Sequence, residues 1–288
     1  MAQGGSRVMQ QRRLRSELRR LRESAGCTQK AAAAGLDWSI SKIIRIETGA
    51  VQVSSSDVRA MLHFYGVSDR TKTDDLLAIT RAKEEAWWDA YRSVYRQQFL
   101  DYLDYEDSAT QVRQVISFVV PGLLQTEDYM RALFEGLSHD EDWIERAVQV
   151  RTRRQRILAP EDGKQAWFII DEAALHRWIG GQEVTRRQFD HLREMAKQPN
   201  LSIRVVPSSV GMHPGIRASF TILDFASDDE DTIVSIENPD GVALIKDDFE
   251  TTSEFVERFS ILEDIATPEE ESDAALNAVV DRMQLDTR

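Results

Sequence analysis

The spacing of capping, small and apolar residues between Thr28 and Gly49 restricts this chain more than any other feature. Thr28 offers a hydroxyl that can cap a helix, and Gln29 to Leu36 follow as its body. A further short helix starts near Ser39 and stops at Thr48-Gly49, where glycine supplies the left-handed conformation that ends helices. Ala33 is small where two such helices must cross closely, and Leu36, Ile43 and Ile46 are apolar where they would share a core. Ser39, Ile40, Ser41, Lys42, Ile44 and Arg45 then project from the opposite side. Upstream, Leu14, Leu18 and Leu21 recur at helical spacing, which predicts a helix over Gln11–Ser24 with arginines on its other faces. Downstream, Ser54 to Ser56 cap a fourth helix carrying Val58, Met61, Leu62 and Tyr65, closed by Gly66.

This segment, ending in Arg45-Ile46-Glu47-Thr48-Gly49, resembles the Xre-type helix-turn-helix, the phage-repressor kind. The resemblance implies that the third helix lies in the major groove of double-stranded DNA with its side chains against base edges. Carried over by position, the base readers are Ser39, Ile40, Ser41, Ile44 and Arg45. Arg45 suits a bidentate guanine contact, and Ile40 a thymine methyl. Gln29 matches the residue that holds a backbone phosphate, and Lys42 and Arg19 would add salt-dependent phosphate contacts. The chain departs from the pattern in placing Asp37 where a glycine usually takes positive φ, and Gly35 inside the second helix. Ile40 also stands where a polar reader is common. One such head reads few base pairs, so a homodimer on a roughly palindromic operator is expected.

Charge supports the same division. The chain carries a net charge of −13, yet residues 1–70 hold twelve Lys/Arg against six acids, which leaves a strongly acidic remainder. A basic head on an acidic body suggests a nucleic-acid module joined to a domain with another task. The lone Cys27 excludes an internal disulfide and paired-cysteine metal sites, and no apolar run is long enough for a membrane span, so a cytoplasmic protein is expected.

The expected architecture is a mainly α head over 1–70, a helical connector over 71–110, and a larger α+β domain over 111–288. In the connector, Leu76, Leu77 and Ile79 lead to Trp87-Trp88 and the aromatics Tyr91, Tyr95, Phe99, Tyr102 and Tyr105, which either form a dimer surface or ligand cage or, the preferred reading, dock the connector onto the body. Strands are predicted at 115–120, 167–170, 201–206, 220–225, 232–236 and 242–245, and helices at 127–135, 142–158, 184–197, 249–265 and 268–283. The acid run Asp228–Asp231 reads as a solvated turn. Three strings, Val120–Tyr129, Asp171–Leu175 and Gly211–Gly215, resemble the body of actinobacterial Xre-type regulators whose C-terminal half is a domain of unknown function. That resemblance implies a small companion protein in an antitoxin-like arrangement, and with it an alternative role as an interaction protein.

No catalytic constellation, metal site or cofactor is expected. The chain has no phosphate-binding Gly-rich loop, no Gly-x-Ser-x-Gly elbow and no His-Glu-x-x-His. Asp171, Glu172, Asp224 and Glu237 lie near strand ends, but Asp171-Glu172 also makes an ordinary helix start. His63, His139, His176, His191 and His213 are scattered; His213, with Arg217 beside it, is the candidate for a ligand or partner loop. Arg151, Arg153, Arg154 and Arg156 form a basic run that either meets an anionic group or pairs with nearby acids.

Overall fold

Local capping sets the helices of the first unit. In the computed structural model, which describes residues 7–81, 86–138, 140–160, 164–226, 232–238, 241–246 and 248–285, the chain divides into two units, Met1–Trp87 and Trp88–Arg288. Asp228–Asp231 and His139 lie outside the described residues. The first unit holds α1 (Arg7–Ser24), α2 (Gln29–Gly35), α3 (Ile40–Glu47), α4 (Ser55–Phe64) and α5 (Arg70–Arg81). Thr28, Ser39 and Ser54 each accept a backbone N–H through their hydroxyls, at 3.1, 3.2 and 3.1 Å, and so start α2, α3 and α4. Leu14, Leu18, Ala33, Ile43, Ile46, Val58 and Met61 form its core.

Two glycine-related departures have physical reasons. Asp37 takes φ 56°, the only positive φ outside glycine among the described residues, so the short polar side chain does what glycine usually does in this turn. A Cβ on Gly35 would lie 2.1 Å from the Phe64 ring, so the glycine that weakens α2 lets α4 pack against it.

Residues 71–110, expected as one connector, divide differently. Leu76 and Leu77 of α5 are buried in the core of the first unit, because they supply the apolar face that closes its helical bundle. The later part forms α6 (Gln97–Ser108) of the second unit, where Tyr102 and Tyr105 are buried.

The second unit is α+β. Its sheet runs β3-β2-β1-β4-β5-β6, with β1 (Gln111–Ile116), β2 (Gln165–Asp171) and β3 (Leu201–Val206) parallel. β4 (Phe220–Asp224), β5 (Ile233–Asn238) and β6 (Gly241–Ile245) add an antiparallel meander on the β1 side. Parallel neighbours need long crossovers. These are supplied by α7 (Glu127–Glu135) with α8 (Glu141–Arg154), and by α9 (Glu172–Leu175) with α10 (Gly181–Met195). The C-terminal helices α11 (Phe249–Ile265) and α12 (Ser272–Leu285) return to the sheet. One sheet face packs Val115, Ile169, Phe220, Ile222 and Val234 against Phe255, Phe259 and Leu262 of α11.

β1 begins four residues before the expected 115 and stops at Ile116. Its polar Gln111, Arg113 and Gln114 are carried by pairing to strands on both sides, and the ladder ends where the Ser117 N–H turns to Ser219 Oγ at 3.2 Å.

Candidate nucleic-acid interface

The third helix separates its faces as the spacing requires. Ile43 and Ile46 are 0% and 1% exposed, whereas Ile40 and Ile44 are 42% and 39% exposed. Ser39, Ser41 and Arg45 are exposed with them, so all five expected base readers lie on the outer side of α3 or at its start. Leaving two isoleucines in water runs against the hydrophobic effect, and apolar contact with thymine methyls would relieve it. The Ser39 hydroxyl is engaged as the α3 cap. Arg45 keeps its guanidinium free of any hydrogen bond or ion pair among the described residues, as do Arg13, Lys30, Arg59 and Arg70.

The expected phosphate contacts are more constrained. Gln29 donates through Nε2 to Glu47 at 2.9 Å. Lys42 pairs with Asp57 at 2.7 Å and lies 3.6 Å over the Trp38 ring, and the salt bridge holds the Asp57 carboxyl below its ordinary range against the opposing effect of burial. Arg19 is exposed but leans on Glu23 at 3.0 Å. On α1, Arg20 is clamped by Glu17, whose carboxyl is lowered to about 2 by the Arg20 hydrogen bonds and, further, by Lys72. The basic excess of the head is therefore partly spoken for by its own acids.

Sequence reasoning missed what aims α3. Arg22, buried on α1, donates to both carboxylate oxygens of Glu47 at 2.7 and 3.1 Å and to the Cys27 carbonyl at 2.8 Å. The Glu47 hydrogen bond raises the Arg22 pKa above its usual value. This bidentate pair fixes the last turn of α3 to α1. Its only sequence trace is an acid placed directly after the buried Ile46, on a helix whose neighbour is rich in arginine.

Residues 13–76 match the family described as Helix-turn-helix domain, and residues 99–278, well over half of the chain, match Domain of unknown function (DUF5753). The chain belongs to the DUF5753 family. No curated protein and no solved structure matches it. The match to the head supports DNA binding and stops short of the Xre assignment.

Within the DUF5753 domain, the sequence-picked carboxylates do not converge. Asp171 caps α9 through the Ala173 N–H at 2.8 Å and meets His213 Nε2 at 3.1 Å. Glu172 is buried, accepts the Ser208 N–H at 2.7 Å and has His176 Nε2 at 3.5 Å. These contacts tie the loop after β3 to the end of β2, with the His213 side chain 5% exposed and Arg217 exposed nearby in sequence. Asp224 is taken by Arg113 at 2.8 Å and by Thr232 at 2.9 Å. Among the described residues no group of His, Cys, Asp and Glu could hold a metal ion, and no helix is long and apolar enough to cross a membrane.

Proposed function

We propose that this DUF5753 protein is a sequence-specific, DNA-binding transcriptional regulator that reads the major groove through α3. The observation that carries the reading is the outward set Ile40, Ser41, Ile44 and Arg45, backed by a buried Ile43–Ile46 seam and the Arg22–Glu47 clamp. Arg45 is the principal base reader, and a bidentate arginine–guanine pair is worth about 1–3 kcal/mol, or roughly 5- to 150-fold in affinity. Ser39 caps this helix, Lys42 lies on it and Gln29 bonds to its Glu47, while Arg19 is exposed on α1; Arg19 and Lys42 can re-pair from an acid to a phosphate on contact with DNA.

The regulator acts as a homodimer on half-sites about one helical turn, roughly 34 Å, apart. The DUF5753 domain serves as its sensing or interaction domain. The test is genome-wide DNA pull-down with the intact protein beside Arg45→Ala. A compact set of palindromic sites, lost in the variant, is expected. Diffuse binding that Arg45→Ala leaves untouched overturns the reading, and gel shifts indifferent to half-site spacing overturn the dimer.

A further inference from the structure

The end of α11 leads into a segment that runs along the outer edge of β3, the last strand on that side of the sheet. The Val205 N–H donates to Thr267 Oγ1 at 3.1 Å, and the Thr267 N–H donates to the Val205 carbonyl at 2.8 Å. Ser272, the first residue of α12, donates its hydroxyl to the Ile203 carbonyl at 2.5 Å. These bonds occupy an edge that would otherwise be open to another strand. α12 then packs on β3 and α10, with Leu276 and Val279 buried.

α12 does not close fully over the carboxyl ends of β2 and β3. A cavity of about 270 Å³ remains there, walled by Val205 and Pro207 from the strand side and by Ala275 and Val279 from α12. Ala274 and Ala275 present only methyl groups to it, which is why the helix leaves the space unfilled. At roughly 30 Å³ per water-sized group, the volume suits a ligand of about six to nine non-hydrogen atoms.

Two carboxylates line this cavity, Glu172 and Glu271, and no basic residue does. Glu172 is 3% exposed, so it forms the floor. One of its oxygens accepts the Ser208 N–H at 2.7 Å, and His176 Nε2 lies 3.5 Å from the other. That distance is longer than the roughly 2.7–2.9 Å of a strong charge-assisted bond. A carboxylate has about four acceptor sites, so a ligand N–H can join without displacing the Ser208 N–H. Glu271 and Ala274 are exposed and mark the mouth. The walls are apolar, and among the described residues no group of His, Cys, Asp and Glu could hold a metal ion, so the matching cation is organic. The cavity therefore asks for a ligand that is cationic at both ends and aliphatic between them.

We infer that this cavity binds a short α,ω-diamine, with one ammonium on Glu172 at the floor, the other on Glu271 at the mouth, and the methylene chain against Val205, Pro207 and Val279. A cation that reaches the buried carboxylate offsets its desolvation, and the methylenes gain by leaving water. The inference rests on the reading of the DUF5753 domain as a sensing domain. Titration without DNA judges the site alone, whereas the sensing role is judged separately, by whether the diamine changes the gel shift.

The experiment is isothermal titration of the full chain with putrescine and cadaverine, the four- and five-carbon α,ω-diamines, at up to about 10 mM, a range that captures even millimolar binding. At least one is expected to bind, at one site per chain. Butylamine, which carries one charge, should bind roughly tenfold more weakly, and butanediol, which carries none, should not bind measurably. Glu271→Gln changes an exposed side chain and should lower the diamine to the level of the monoamine. Ala274→Phe, also at an exposed helical position, places a ring in the mouth and should abolish binding while thermal unfolding stays unchanged. A chain of net charge −13 also draws diamines to its surface, but such adsorption would survive Ala274→Phe. No binding by either diamine overturns the proposal. So does binding that Glu271→Gln and Ala274→Phe leave unchanged, or a diol that binds as tightly as the diamine.

Discussion

Removing Glu47 tests whether α3 is held by the buried ion pair or only by its isoleucines. The Arg22 side chain is 8% exposed and that of Glu47 3%, so Glu47→Ala strands a guanidinium beneath α3. Breaking one partner of a buried pair costs about 3–5 kcal/mol. Arg22 keeps its bond to the Cys27 carbonyl and can lean further on Glu23, already 3.3 Å away, which places the loss near the lower figure, about 3 kcal/mol. Gln29 also loses its acceptor, but it is half-exposed and water replaces it. A head of this size is stable by about 4–11 kcal/mol at 0.05–0.15 kcal/mol per residue, so the loss consumes much of its margin. Amide hydrogen exchange on the full chain reads this locally: α1 and α3 amides should exchange roughly 150-fold faster, while β1 and β2 stay unchanged. In Arg22→Met with Glu47→Leu, no buried charge remains, and protection should return to within about tenfold of the parent. An acceleration under about fivefold in Glu47→Ala, or a double variant faster than the single one, would refute the clamp.

Four further substitutions in the head have expected outcomes. Ser54→Ala removes the hydroxyl that starts α4 and should cost about 1 kcal/mol in thermal unfolding. Gly49→Ala, at φ +73° with Arg15 packed against it, should cost about 1–2 kcal/mol, whereas Gly35→Ala should be close to neutral because the Phe64 ring that it meets is partly exposed and can swing away. Glu17 is depressed from 4.5 to about 2, so its contribution is present above pH 4.5 and is lost as pH falls toward 2. With Arg20 largely exposed, that contribution is about 1 kcal/mol, and an acid titration of head stability should flatten by this amount in Glu17→Gln.

The head was legible because its determinants are local. Caps at Thr28, Ser39 and Ser54, the Leu14–Leu18 stripe and the Ile43–Ile46 seam each act within one or two helical turns, and the αL turn at Asp37 depends on one residue's own backbone preference. The Arg22–Glu47 clamp was not legible, since it joins positions on different helices and neither residue has a periodic partner. The five expected readers could be placed by helical phase alone, whereas the fate of Gln29 and Lys42 turned on Glu47 and Asp57, which phase does not reveal.

The α+β domain shows the limit more sharply in its arginine run. Arg151 and Arg154 are three residues apart on one helix and read alike in sequence. Glu106, on α6, neutralises Arg154, and no acid among the described residues does so for Arg151. What separates them is strand order: β5 takes its place in the sheet only because β4 returns antiparallel beside β1, which brings Glu237 within electrostatic range of both arginines. Hydrophobic period reports which side of an element is buried, and not which element lies opposite. A charge that the fold leaves unmatched is therefore invisible in the sequence, and it becomes informative only once the pairing of β1, β4 and β5 is known.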